Sequence, residues 1–277
     1  MFHQGVSYDQ RASAGDPLTI AVFDAAPNLR NVTGTIEIVR AGTEGTLLHV
    51  SDMYEIRNAS NPPLTKTGGR TFEVYLPAHA RIDSVLAAGP GKLGLLITAT
   101  PVSGEPGHYA VDFPLRPGAT DFAFNYDLSY DGRARFPTRH AYPLEQLAIM
   151  IPPAMGFSSR SGAFEILRVD SSRYQVRAAN HLKAREGPEF EVFGAGRLPP
   201  LGNRAKAEPW THPPLPPNST LSALGPTGEP SGAWINARSK PIEPPSQSLA
   251  LDGVIAMLLA VCAVFVWRAR KSDKTGE

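Results

Sequence analysis

The chain has 277 residues, with 27 basic and 26 acidic side chains, a formal net charge of +1 and 42% hydrophobic residues. This balance excludes the basic footprint of a nucleic-acid-binding protein and the charge excess of a disordered one. The single cysteine, Cys262, excludes a disulfide framework and a cysteine-based zinc site.

Residues 18 to 194 have the two-residue hydrophobic period that is typical of β-strands. Turn-forming residues separate the runs, as at Gly68-Gly69 and Gly89-Pro90-Gly91. The predicted strands are 18–23, 33–39, 46–56, 71–76, 108–113, 121–128, 147–151, 164–169, 174–178 and 189–193. Many short strands with regular turns predict an all-β antiparallel β-sandwich.

A weak internal repeat leaves the domain count open. Val74-Tyr-Leu-Pro-Ala-His-Ala80 aligns with Ile149-Met-Ile-Pro-Pro-Ala-Met155. Either two tandem immunoglobulin-like modules occupy 29–117 and 118–198, or one larger domain occupies 29–198.

The composition changes after the strand-rich region. Twelve of the 49 residues from 199 to 247 are proline, mixed with Ser, Thr, Asn and Gly. Such a stretch supplies neither the N–H groups nor the apolar faces of a packed core, so it is predicted to be an extended linker.

The segment 249–267 predicts a membrane anchor. It is almost wholly apolar, its one charge is Asp252 near its start, and it is long enough to cross a bilayer as a helix. We predict a transmembrane helix at 248–267, in contact with the lipid bilayer through 249–267, and a cytoplasmic tail at 268–277. The basic residues that follow Trp267 place this tail on the cytoplasmic side by the positive-inside rule.

The prediction is therefore a single-pass protein of the cell membrane with its N-terminal region outside the cytoplasm. Residues 1–8 contain no apolar export signal, so the expectation is a start that lies further upstream. The alternative is a tail-anchored protein with its N-terminus in the cytosol, which the charge rule opposes.

No catalytic motif is present, and the chain is predicted not to be an enzyme. No residue is predicted to be catalytic, to bind a cofactor or to ligate a metal. His79, His108 and His140 are the histidines that a folded metal site would use, but isolated surface histidines are the favoured interpretation. Glu189 and Glu191 share a strand face, which indicates a solvated face in preference to a calcium-binding edge.

Aromatic residues alternate along one predicted strand and its continuation, at Phe122, Phe124, Tyr126 and Tyr130. This pattern fits either an aromatic platform on which sugars stack or the inward face of a sandwich core, and the core is favoured.

Four segments carry a resemblance to a known family: His3-Gln-Gly-Val-Ser-Tyr8, Val22-Phe-Asp-Ala-Ala26, Phe72-Glu-Val-Tyr-Leu-Pro77 and Phe113-Pro-Leu-Arg-Pro-Gly118. The chain resembles bacterial membrane-anchored proteins with a carboxypeptidase-regulatory-like domain, a transthyretin-like β-sandwich. The resemblance implies that residues 1–28 are the closing strands of an upstream domain, which is missing here together with its signal peptide. Fold analogy of this kind does not transfer activity.

Two functions follow as hypotheses. The first is a non-enzymatic, membrane-anchored, extracytoplasmic binding or scaffolding protein, whose partner is an envelope protein or a polysaccharide and which meets it at sandwich edges and loops. The alternative is an accessory subunit of an envelope enzyme or transporter, with carbohydrate binding left to the missing upstream domain. In that case Ala256, Ala260 and Ala263 would permit close packing of the span against another helix.

Overall fold

A computed structural model describes residues 1–8, 19–91, 93–167 and 173–198. The described residues form one compact unit. The described residues contain strands and no helix, which confirms the all-β prediction. None of them therefore supplies a helix able to cross a bilayer, and the predicted linker and span at 199–267 lie outside the described residues.

Eighteen strands follow one another along the described chain. They are β1 (Phe2–His3), β2 (Val6–Ser7), β3 (Ala25–Ala26), β4 (Val32–Glu44), β5 (Leu47–Asn58), β6 (Thr65–Lys66), β7 (Phe72–Tyr75), β8 (Arg81–Ala88), β9 (Gly94–Ile97), β10 (Ala99–Pro101), β11 (His108–Val111), β12 (Gly118–Ser129), β13 (Arg133–Phe136), β14 (Leu144–Ile151), β15 (Gly156–Ser158), β16 (Glu165–Leu167), β17 (Gln175–Leu182) and β18 (Phe190–Phe193).

The largest sheet has eight strands in the order β16-β17-β14-β4-β5-β12-β8-β9. Strands from both sides of residue 117 share this sheet, with β12 lying between β5 and β8. All its pairs are antiparallel except β14 with β4, which is parallel. A parallel pair needs a long connection, and about a hundred residues separate these two strands.

Two three-stranded sheets, β10-β11-β7 and β13-β18-β15, accompany the large one, and two short pairs, β1-β2 and β3-β6, complete the unit. One buried core joins the large sheet to both three-stranded sheets. Phe72 of β7 stacks on Phe122 of β12 with 4.6 Å between ring centroids. Phe190 of β18 stacks on Phe136 of β13 at 4.8 Å.

The N-terminal hairpin is tied to this body through Tyr8, which is buried. Its hydroxyl lies 3.0 Å from the Thr65 hydroxyl and donates to the Phe23 carbonyl at 2.9 Å. The first predicted strand, 18–23, is wrong for its described residues 19–23, which are not in a strand; the Phe23 N–H donates to the Tyr8 hydroxyl at 3.2 Å and not to a neighbouring strand.

Candidate functional site

The first candidate is the edge of the large sheet at β9. The Leu95 and Leu96 side chains are 47% and 65% exposed, and Leu93 just before the strand is 48% exposed. No charged residue occurs between Leu93 and Gly104. A sheet edge that is both apolar and uncharged lacks the charged side chains that often prevent another strand from pairing with it.

The edge extends beyond β9, because β10 begins after a single residue, Thr98. In the large sheet β9 pairs with β8, and in the small sheet β10 pairs with β11. No described strand pairs with the other side of either one. We call the stretch from Gly94 to Pro101 the leucine edge. In an antiparallel strand every second residue points its N–H and C=O groups away from the paired neighbour, so this edge presents backbone groups together with leucine side chains.

The opposite edge of the large sheet, β16, differs. It has three residues, and Glu165 places a charge on it. Its one strongly exposed apolar side chain is Ile166, at 68%. Short and charged edges disfavour strand addition, so the leucine edge is the better docking site of the two.

The second candidate is a polar cluster in the buried interior of the all-β unit. Glu37 of β4 lies opposite Tyr54 of β5, and Val39 lies opposite Asp52, so all four side chains are on the same face of the sheet. That face is the core face, because Val39 and Tyr54 belong to the buried core. His140 reaches the cluster from the segment between β13 and β14.

The contacts in this cluster are short. The Tyr54 hydroxyl oxygen lies 2.7 Å from Asp52 Oδ2 and 3.3 Å from Glu37 Oε1. Glu37 Oε2 lies 2.8 Å from His140 Nδ1, and both side chains are 5% exposed. These two atoms are at ion-pair distance without the alignment of a hydrogen bond.

Burial controls the electrostatics of the cluster. Burial raises the pKa of the Asp52 carboxyl well above its ordinary value of 3.8, and the Glu37 carboxylate raises it further, whereas the hydrogen bond between Asp52 and Tyr54 lowers it. Burial and the same two carboxyl groups raise the pKa of Tyr54 and of Tyr126. Each of these groups is therefore held toward its neutral form.

A small cavity of about 10 Å³, the volume that one water molecule needs, lies beside the cluster. Tyr54, His140, Tyr142 and the exposed Arg139 line it, so it lies between the interior and the surface. Lys66 donates to the Tyr142 hydroxyl at 2.6 Å. Burial lowers the pKa of Lys66, against a nearby Glu73, while burial and Glu73 raise the pKa of Tyr142 to about 12.

The structure separates the histidines considered in the sequence. His79 is exposed, His140 pairs with Glu37, and His108 lies 3.1 Å from Glu73 and 3.3 Å from Glu105. Within the described ranges, no three His, Cys, Asp or Glu side chains form a group that could hold a metal ion.

The other residues singled out in the sequence, two glutamates and four aromatic residues, lie at the surface or in the core. Glu191 pairs with Arg133 at 3.0 Å, and Glu189 is exposed. Phe122, Phe124 and Tyr126 are buried in the core, and Tyr130 packs against it, so this aromatic face points into the core.

Both sites escaped the sequence reasoning, although one signal was present. Asp52 has the same alternation phase as Val50, Tyr54 and Ile56, which places a carboxyl on an otherwise apolar strand face. No feature of the sequence near His140 indicated that this histidine would lie beside the strand face that carries Asp52.

Comparisons with known proteins give no family. No protein-family model matches the chain, and no curated protein does. Among solved structures it is similar to an M1 zinc metallopeptidase from Deinococcus radiodurans, with 10% identity and a TM-score of 0.33, over 62% of this chain and 44% of that one. A mutant of that enzyme bound to a Tyr-Ser-Ala substrate gives 9% identity, the same TM-score, and 62% and 45% coverage. The chain thus spans less than half the length of these proteins.

Proposed function

We propose that this protein is a non-enzymatic, membrane-anchored, extracytoplasmic β-sandwich that binds a protein partner at the leucine edge. The observation that carries the proposal is the exposure of Leu95 and Leu96 on an unpaired, uncharged edge strand. The Pro-rich stretch 199–247 would serve as a spacer and the apolar stretch 249–267 as the anchor.

Strand addition supplies both affinity and selectivity at such an edge. An extended partner segment gains backbone hydrogen bonds from the edge strand, and its side chains pack against every second residue on each face. Leu96 lies opposite Leu86 of β8, and Leu95 lies opposite Ala87. Consecutive leucines therefore offer apolar contact on both faces of the sheet.

The lack of charge indicates the chemistry of the partner. A segment with a charged side chain opposite Leu95 or Leu96 would lose the hydration of that charge without gaining a counter-ion from the edge. The partner segment is therefore expected to be extended, apolar and uncharged over about four residues.

The buried polar cluster is one observation that supports the non-enzymatic part of the proposal. Glu37, Asp52, Tyr54 and His140 contact one another in the interior, and the adjoining cavity has room for about one water molecule. A site of that size does not accommodate an organic substrate.

Leu96→Lys tests the proposal in the full-length chain in native membranes. Fully burying a leucine contributes about 1.5–3 kcal/mol, so covering the exposed 65% of Leu96 contributes about 1–2 kcal/mol to binding. The substitution should therefore weaken partner binding by about 5- to 30-fold. Ile166→Lys, at the opposite edge and similarly exposed, is the matched control and should leave binding unchanged.

The partner is to be found by placing a photo-crosslinking residue at position 96 or at position 166 and identifying the crosslinked peptide. Crosslinks to one extended apolar segment from position 96, absent from position 166, would support docking at the leucine edge. Equal crosslinking at both positions, or equal loss of binding in both lysine variants, would contradict it.

A further inference from the structure

The hydrogen-bonding inventory of the buried cluster lacks one proton. The Tyr54 hydroxyl carries a single hydrogen, yet it lies 2.7 Å from Asp52 Oδ2 and 3.3 Å from Glu37 Oε1. With both carboxyls ionised, only one of these oxygens could accept that hydrogen. Asp52 Oδ1 is also buried and has no hydrogen-bond partner among the described residues.

The charges that face Asp52 do not compensate for two ionised carboxyls. Glu37 faces it from β4, Tyr126 from β12 and Tyr54 from its own strand. His140 is the one imidazole of the cluster and is already at ion-pair distance from Glu37. Arg40 lies opposite Ser51, and neighbouring residues of a strand point to opposite faces, so its side chain leaves the sheet on the face away from Asp52.

We propose that Asp52 is a proton-binding site and stays a neutral carboxylic acid at neutral pH. Asp52 then donates its hydrogen to the Tyr54 oxygen, and the Tyr54 hydroxyl donates its own hydrogen to Glu37. This assignment gives each hydroxyl hydrogen one acceptor, in the order Asp52 to Tyr54 to Glu37. Two nearby buried carboxyls do not both ionise readily, and a carboxylic acid kept neutral by its apolar site can serve as a hydrogen-bond donor. The raised pKa of Asp52 agrees with this geometry.

The proposed proton lies where the large sheet contacts a three-stranded sheet. Asp52, Tyr54 and Glu37 belong to the large sheet, whereas His140 forms an isolated backbone bridge with Val74 of β7 in a three-stranded sheet. Loss of the proton would place a second negative charge at this junction, on a residue that is only 3% exposed. The contact between the two sheets is therefore expected to weaken as the pH rises.

Infrared spectroscopy of the full-length protein at pH 7 detects the proton directly. At that pH an ordinary carboxyl is ionised, so the carbonyl stretching band of a protonated carboxyl identifies a group held neutral. The band is expected in the unmodified chain, to shift in D₂O, to persist in Glu37→Gln and to disappear in Asp52→Asn. Absence of the band in the unmodified chain would overturn the proposal, and so would its loss in Glu37→Gln with persistence in Asp52→Asn.

The pH dependence of unfolding gives a second, independent test. Because the amide side chain introduced by Asp52→Asn would imitate the neutral acid, this variant should match the unmodified chain at about pH 4 and unfold at progressively higher urea concentration than it as the pH rises. Asp127→Asn, at a carboxyl whose pKa is lowered, is the control: it should be less stable than the unmodified chain by a constant amount above about pH 4, with no gain as the pH rises. A pH-independent loss of stability in Asp52→Asn would show that the site holds a carboxylate and would refute the assignment.

Discussion

The contact between Glu37 and His140 gives the sharpest stability prediction. In His140→Ala the Glu37 carboxyl keeps a 3.3 Å contact with Tyr54 but loses the partner that lies 2.8 Å from Oε2, at a position where the side chains are 5% exposed. Removal of one partner from a buried pair costs about 3–5 kcal/mol, because the other group stays in the interior without compensation. This is a large share of the roughly 5–15 kcal/mol by which domains are stable.

Urea unfolding of the full-length protein measures this cost. With a slope of about 2 kcal/mol per molar, His140→Ala should lower the midpoint by about 2 M. The matched control is Arg133→Ala, because Arg133 and Glu191 are 3.0 Å apart with the arginine side chain 65% exposed. An exposed pair contributes about 0.2–1 kcal/mol, so the control should change the midpoint by less than about 0.5 M.

A double-mutant cycle separates the pair from the packing of the imidazole. Glu37→Gln removes the charge with little change in volume, so His140→Ala should cost less in that background than in the unmodified chain. Equal costs in the two backgrounds, or a loss below about 1 kcal/mol for His140→Ala alone, would refute the reasoning that the buried contact stabilises the junction.

Two further predictions concern the backbone and the surface charge. Gly107→Ala should destabilise the protein more than Gly104→Ala in urea unfolding. Both glycines have a positive φ, +80° at Gly107 and +86° at Gly104, so backbone strain is similar in the two variants. A Cβ at Gly107 would also collide with the Leu76 carbonyl oxygen, whereas a Cβ at Gly104 meets nothing within 4 Å. Equal losses of stability in the two variants would show that backbone strain alone, and not the collision with Leu76, destabilises them. Burial acts to raise the pKa of Asp127, but its hydrogen bonds, first of all the one from Arg81, lower that pKa below 3.8. The ionised Asp127 therefore stabilises the fold above about pH 4, and this stabilisation is lost as the pH falls through the lowered pKa. Arg81→Ala should flatten this acid-side loss in a pH series of unfolding midpoints, and an unchanged acid profile would contradict the assignment.

Much of the strand pattern could be predicted from the sequence. The alternation at 33–39, 46–56 and 121–128 predicted strands that the structure extends by a few residues to β4, β5 and β12. Alternation is a local property of the chain, since successive side chains of any strand point to opposite faces.

The leucine edge was missed for an equally local reason. Residues 85–88 and 93–97 form short apolar runs without alternation, and such runs do not distinguish a strand from other buried segments. Gly89-Pro90-Gly91 was identified as a turn, yet the hairpin of β8 and β9 that it joins was not predicted.

By itself the sequence determined that the described chain is built of strands and where most of its turns lie. Only the tertiary structure decided that β9 ends a sheet and that His140 meets Glu37, 103 positions earlier in the chain. Strand formation depends on side chains a few residues apart, whereas the order of strands in a sheet and the partners of a buried charge depend on contacts between distant segments. Such contacts form only when the sheets close on one core.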